Sequence, residues 1–250
     1  MGTSSARWGP SGRLWRLAKG AATRYLAPEG AAPVAAGEVV ARYVAALGEG
    51  PHLEGQGLLG AFRLTRKAAQ NLGAFWQGAL TQGWPAVLKE AGLEDLAEGP
   101  ADLLAQALGP ALVPPGFDLE AAATRAALAT VLLEALPRPG LKSANRLDPG
   151  EEAGALVRRF LATSLYQRLV LDLGASLEAA AGDGNRFQAA LAELQNCIAV
   201  GETDPTLPPQ SPEAWLGLPG WTFATQTLES LAQRWAGRTQ PAGCPSPKAK

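Results

Sequence analysis

The sequence predicts an all-α protein, an irregular multi-helix bundle in two helical halves with flexible N- and C-terminal tails. Three observations carry that expectation. Apolar residues recur at three- and four-residue spacing along most of the 250-residue chain. Gly and Pro, 29 and 20 in number, gather between those runs. No apolar–polar alternation of useful strand length occurs. With 47% hydrophobic and 18% charged residues the chain can bury a core, which excludes disorder throughout.

The elements follow in order. Gly9, Pro10 and Gly12 stop any helix before about residue 13, so 1–12 reads as an exposed tail leading into the first helix. Val39, Val40, Tyr43, Val44 and Leu47 give an amphipathic helix over about 36–48, ended by Gly48 and Gly50-Pro51. Leu58, Leu59, Phe62, Ala69, Leu72, Phe75, Trp76 and Leu80 mark a longer helix, with Arg63, Arg66 and Lys67 on its polar side. Trp84-Pro85 restarts the chain, since Pro is tolerated in a first helical turn. Short helices are expected near 85–91 and 101–108, with Gly109-Pro110 and Pro114-Pro115-Gly116 as turns. Asp118 is an N-cap candidate for a helix through Leu128, Val131, Leu132 and Leu136.

Arg138 to Gly150 reads as a linker. Glu151 and Glu152 then open the strongest helix, where the macrodipole favours acids, with an apolar stripe of Leu156, Phe160, Leu161, Leu165, Leu169, Val170 and Leu173 running to about residue 181. Asp183-Gly184 turns the chain into a helix holding Phe187, Leu191, Leu194 and Ile198. After the Pro-rich stretch 204–212, a last helix carries Phe223, Leu228, Leu231 and Trp235. The organisation expected is a tail at 1–12, helical halves at 13–137 and 151–236 joined by the linker 138–150, and a frayed tail at 237–250.

Composition excludes more chemistry than it nominates. No run of about 18 apolar residues occurs, so no membrane span is expected. Arg13, Arg16 and Lys19 interrupt the apolar core that a secretory signal requires, and the cytoplasm is the expected location. An organelle transit peptide is compositionally open. The single histidine, His52, and the two distant cysteines, Cys197 and Cys244, leave nothing for a metal triad, a Ser-His-Asp triad or a tetrahedral cysteine site. Phosphate-loop and dinucleotide-loop patterns are absent, and no cofactor is expected. The pairs Glu94-Asp95 and Glu151-Glu152 are sequence neighbours, which point to different sides of a helix and make no acid–base couple. Cys197 reads as a small buried hydrophobe, His52 as an exposed loop residue, and the seven tryptophans mostly as core.

Charge is distributed unevenly. Arg7, Arg13, Arg16, Lys19 and Arg24 share the first 28 residues with no acid, although the chain as a whole is −1. Arg7-Trp8 and Arg13-Leu14-Trp15-Arg16 interleave cations with indoles, and Arg63, Arg66 and Lys67 form a second cluster, the pattern single-stranded nucleic acid needs. Against it stands a pI near 6.0, so a solvated helix face or a protein-partner surface is the preferred reading.

The chain opens Met1-Gly2-Thr3-Ser4-Ser5, followed by Gly9-Pro10-Ser11-Gly12. N-myristoylation needs Ser or Thr at the sixth position, where Ala6 stands. The opening instead resembles the QatB family of the bacterial Qat antiphage defence system, whose members begin with MGTS and a Ser/Gly/Pro-rich leader ahead of a helical body. Arg63-Leu64-Thr65-Arg66-Lys67-Ala68-Ala69 looks like that family's basic-then-small helical segment. The resemblance implies three partners: an ATPase, a TatD-like nuclease and a QueC-like enzyme that activates a 7-deazaguanine carboxylate with ATP. It also implies a role without catalysis, as the protein acceptor whose N-terminal amine takes the place of ammonia.

The residues suit that chemistry on independent grounds. Removal of Met1 ahead of so small a side chain makes Gly2 the terminus. An α-amino group, with a pKa of about 7.7–8.0, is appreciably nucleophilic near neutrality where lysine is not. Glycine lets a bulky adenylate approach closely. Thr3, Ser4 and Ser5 keep the tail small and polar, and together with Arg7, Trp8, Arg13 and Arg16 they are the expected partner contacts. Two other readings stand beside this one: a helical nucleic-acid-binding module, and a scaffold subunit docking an ATPase through helix faces.

Overall fold

The structure, a computed structural model, describes residues 12–26, 34–47, 57–96, 99–136, 152–199 and 206–236. Among the described residues there are eleven α-helices and no strand. They are α1 (Arg13–Tyr25), α2 (Ala36–Leu47), α3 (Gly57–Ala61), α4 (Arg63–Gln82), α5 (Trp84–Glu90), α6 (Ala101–Leu112), α7 (Leu119–Ala135), α8 (Ala153–Ala181), α9 (Gly184–Ala199), α10 (Pro212–Leu216) and α11 (Leu218–Ala236). A short 3-10 turn occupies Glu94–Leu96. The proposed linker 138–150, nearly all of the tail 1–12, and the tail 237–250 fall outside the described residues, as do His52 and Cys244.

The described residues fall into two compact units, each assembled from separated stretches of chain. The first takes the described residues up to 61, those of 169–197 and those from 232 to 236, the second the described residues within 62–168 and 198–231.

In the first unit α1 packs on α2. Ala18, Ala21 and Ala22 on the inner face of α1 have no solvent exposure, and their small side chains let the partner helix come close. Trp15 meets Tyr43 edge to face at 5.7 Å, a favoured aromatic geometry. The buried Tyr43 spends its hydroxyl on α8, donating to Asp172 Oδ2 at 2.7 Å. Tyr25 likewise donates to Glu193 Oε2 of α9 at 2.7 Å. Gly37 faces Trp235 of α11 so closely that an added Cβ would lie 3.2 Å from the ring. Cys197 is buried, as its apolar register implies.

In the second unit α4 is the hub, touching α5, α6, α7 and α10. Trp84 at the start of α5 is edge-on to both Phe75 and Trp76, at 5.6 and 5.3 Å. Trp215 of α10 is fully buried against Gly73, where any Cβ would overlap the indole. Gln70 fastens the same junction by donating to the carbonyls of Trp215 and Gly217 at 3.1 and 2.7 Å. Asn71 does the same for Leu112, at 2.9 Å. These side chains satisfy carbonyls that a helix end would otherwise leave bare.

Several sequence expectations are refined. The long helix over 58–80 is two, since Phe62 leaves helical geometry (φ −124, ψ 33) and becomes the N-cap position of α4. Gly109-Pro110 is not a turn, because α6 continues through it to Leu112. Burial of Leu108, Leu112 and Val113 offsets the one hydrogen bond that Pro110 forfeits. Arg66, read as lying on a polar helix side, is buried. Glu152 precedes the first helical residue of α8, so it occupies the cap and not the first turn; its carbonyl accepts from Leu156 N at 3.1 Å. Asp118 does cap α7, Oδ1 accepting from Ala121 N at 2.8 Å.

Candidate functional site

Of the residues singled out in the leader, Gly2, Thr3, Ser4, Ser5, Arg7 and Trp8 lie outside the described residues. Arg13 and Arg16 are exposed on α1, and Lys19 continues the same row one turn further. The opposite side of α1, through Trp15, Ala18 and Ala22, is committed to the core. Helix α1 thus presents a basic stripe that begins where the leader ends.

A second site is formed at the N-terminal end of α4. The backbone N–H groups of a first helical turn need acceptors, and Phe62, at the cap position, supplies none from its side chain. Glu120 of α7 fills the gap. Its Oε1 accepts from Thr65 N at 2.8 Å and from the Thr65 hydroxyl at 3.2 Å. The hydroxyls of Thr65 and Thr124, both buried, lie 2.8 Å apart, and Thr124 Oγ1 is 2.7 Å from the Glu120 carbonyl, so two protons are shared among three short contacts. Burial pushes the Glu120 carboxyl above the ordinary carboxylate range, while the hydrogen bonds from Thr65 pull the other way without cancelling it.

Arg66 lies one residue beyond Thr65. Its guanidinium is 4.2 Å from the ring centre of Trp221 in α11, within cation–π range, and Nη1 donates to Thr225 Oγ1 at 3.0 Å. Trp221 and Thr225 are one turn apart, so Arg66 clamps the indole to its own helix. Desolvation lowers the Arg66 pKa, with Glu120 and Glu229 acting in the opposite direction. Arginine keeps its charge under such burial.

Around this clamp Arg63, Leu64, Lys67, Pro114, Glu120 and Trp221 line an open cleft of about 370 Å³. Two cations, an indole and a carboxyl therefore face one volume. The sequence pattern had grouped Arg63, Arg66 and Lys67; it had not joined them to Glu120, Pro114 or Trp221. One signal was present for Trp221. It was misleading: Trp221 stands seven residues before Leu228 and fourteen before Trp235, in register with the buried stripe of α11, so spacing reads it as core. Trp15, Trp76, Trp84, Trp215 and Trp235 are core, as expected, whereas Trp221 is only half-buried.

Among the described residues no group of His, Cys, Asp or Glu is placed to hold a metal ion, and no helix is long and apolar enough to cross a membrane.

A family model described as Qat anti-phage system associated protein QatB matches residues 58–203. This chain belongs to the QatB family. The match spans more than half of the chain and includes Arg63–Ala69, with Lys67 and Glu120 of the cleft; Trp221 and the leader lie outside it. The resemblance noted at Met1–Gly12 and the family match thus rest on different residues. No curated protein and no solved structure matches the chain. As a QatB family member the protein is a component of the Qat anti-phage defence system and has its partners within that system.

Proposed function

We propose that this QatB family protein is a non-catalytic acceptor, its Gly2 amine taking a 7-deazaguanine in amide linkage from a QueC-like partner. The observation that carries the reading is the start Met1-Gly2-Thr3-Ser4-Ser5, placed ahead of a helix whose outer row is Arg13, Arg16 and Lys19. Family membership supports the setting, and the α-amine supports the chemistry. The partner enzyme joins the deazaguanine carboxylate to ATP with loss of pyrophosphate. The unprotonated Gly2 amine then attacks the acyl carbon, AMP leaves with the electron pair of the broken C–O bond, and the amine proton goes to solvent. An amine with a pKa near 8 is partly unprotonated at neutral pH without any base to assist it. The basic row on α1 is suited to steering toward an acidic partner surface or an ATP phosphate. The ATPase and the TatD-like nuclease are the further partners in this reading.

Co-expression with the QueC-like enzyme, followed by intact mass and N-terminal peptide spectra, tests it. The expected product has lost Met1 and carries the deazaguanine acyl group on Gly2. Gly2→Pro is expected to abolish the adduct, because a ring-bound secondary amine cannot approach the acyl adenylate as closely as glycine does. Spectra showing only an unmodified Gly2 would overturn the proposal.

A further inference from the structure

The cleft at the start of α4 is not used by the acceptor reading, and its chemistry is different. We infer that it binds a nucleotide unit, an aromatic base carrying a phosphate, either free or within a single strand. Three observations converge on that class. First, Arg63 and Lys67 line the volume against the single acid Glu120, so the local balance is positive although the whole chain is −1. Field at a site follows local and not net charge.

Second, Trp221 lines the same volume as a half-buried ring, unlike the five tryptophans buried elsewhere. Its orientation is set in advance by the Arg66 guanidinium at 4.2 Å, itself held by Thr225. A prepositioned indole loses little freedom when a flat ring stacks on it. Third, Leu64 and Pro114 supply apolar walls, and about 370 Å³ lies in the range of small-ligand clefts. An acidic peptide would use the cations and leave the indole idle. A phosphorylated base uses both.

Lys67 and Arg63 would take phosphate as point charge and fork respectively. Either substitution is compatible with the fold. Arg63 is exposed at the first position of α4, where an acid is favoured by the helix dipole. Lys67 makes one long contact, 3.3 Å to Gln70 Oε1.

The test titrates the full chain by calorimetry with adenosine monophosphate, with single-stranded oligothymidylate and with poly-glutamate. Binding of the mononucleotide identifies the free nucleotide as the source of the ligand; binding of the strand alone identifies a single strand. In either case Trp221→Leu, Arg63→Glu and Lys67→Glu are each expected to weaken affinity by about tenfold or more. For the strand, Lys67→Glu is expected to lower the salt slope by about one. Should Trp221→Leu fail to fold, the two charge reversals decide. The inference is overturned if neither nucleotide probe binds, if the variants bind as the parent does, or if poly-glutamate binds as tightly and Trp221→Leu leaves that affinity unchanged. None of these outcomes bears on Gly2, so failure here and failure of the acceptor reading are separable.

Discussion

Glu120 ties the second unit to pH through a helix cap. Its carboxylate caps a helix other than its own, and burial holds its pKa above the ordinary 4.5. The folded protein therefore keeps the proton to higher pH than the unfolded chain does. By linkage this contribution to stability is fully present below the unfolded value and is lost as pH rises through the folded one. Glu120→Gln keeps an acceptor for Thr65 N–H and cannot ionise. Urea midpoints of parent and variant at pH 4 and pH 7 are expected to show the parent losing ground to the variant as pH rises. A parent that gains on the variant over that interval would refute the assignment. Nothing in the sequence announced this residue. Glu120 follows an N-cap and a leucine, an ordinary first-turn acid, and its role depends on a helix that ends far from it in the chain.

At the scale of elements, helix boundaries were legible where Gly, Pro or Asp mark them and illegible where tertiary packing sets them. Gly12 before α1, Pro85 in the first turn of α5 and Asp118 before α7 all act as their chemistry implies. The break at Phe62 carries no such mark, and Gly109-Pro110 carries one that the buried Leu112 overrides. The apolar stripe of α8 was plain, but which unit each of its turns serves was not, since the helix gives Leu156–Leu165 to one and Leu169–Leu177 to the other. Close approach of elements was equally hidden. Gly73 looks like a helix-weakening glycine, yet it is where Trp215 enters. Gly73→Ala improves helix propensity by about 1 kcal/mol while forcing a methyl into the indole. Overpacking costs about 1–3 kcal/mol, so a net loss in thermal and urea stability is expected. A gain in stability would show that α4 and α10 do not meet there.

For the molecule as a whole, the unequal charge distribution separates folding from recognition. Arg13 and Arg16 are exposed and make no contact that the core of the first unit depends on. Reversing both to Glu is expected to change stability by no more than about 0.5 kcal/mol, as for surface sites generally. If Gly2 is the acceptor proposed above, the same variant is expected to slow its modification by the QueC-like enzyme. The parent's rate is expected to fall as salt is raised, because exposed charges steer over about 10 Å at 0.1 M. A rate indifferent to both salt and the double reversal would remove α1 from the encounter. The all-α class and the family setting were readable from periodicity and from the opening residues. The cleft was not, because it needs α4, α7 and α11 brought together, and no local pattern encodes that.

The assembly of the first unit has a consequence for synthesis. Gly37 is closed over by Trp235, and Tyr43 by Asp172. A ribosome delivers the early partners of these pairs long before the late ones. Until those later stretches emerge, α1 can pack on α2 but Gly37 lacks its indole cover and the Tyr43 hydroxyl its acceptor. A chain that stops short of Trp235 would leave Gly37 uncovered, so the first unit closes only once α11 has been made.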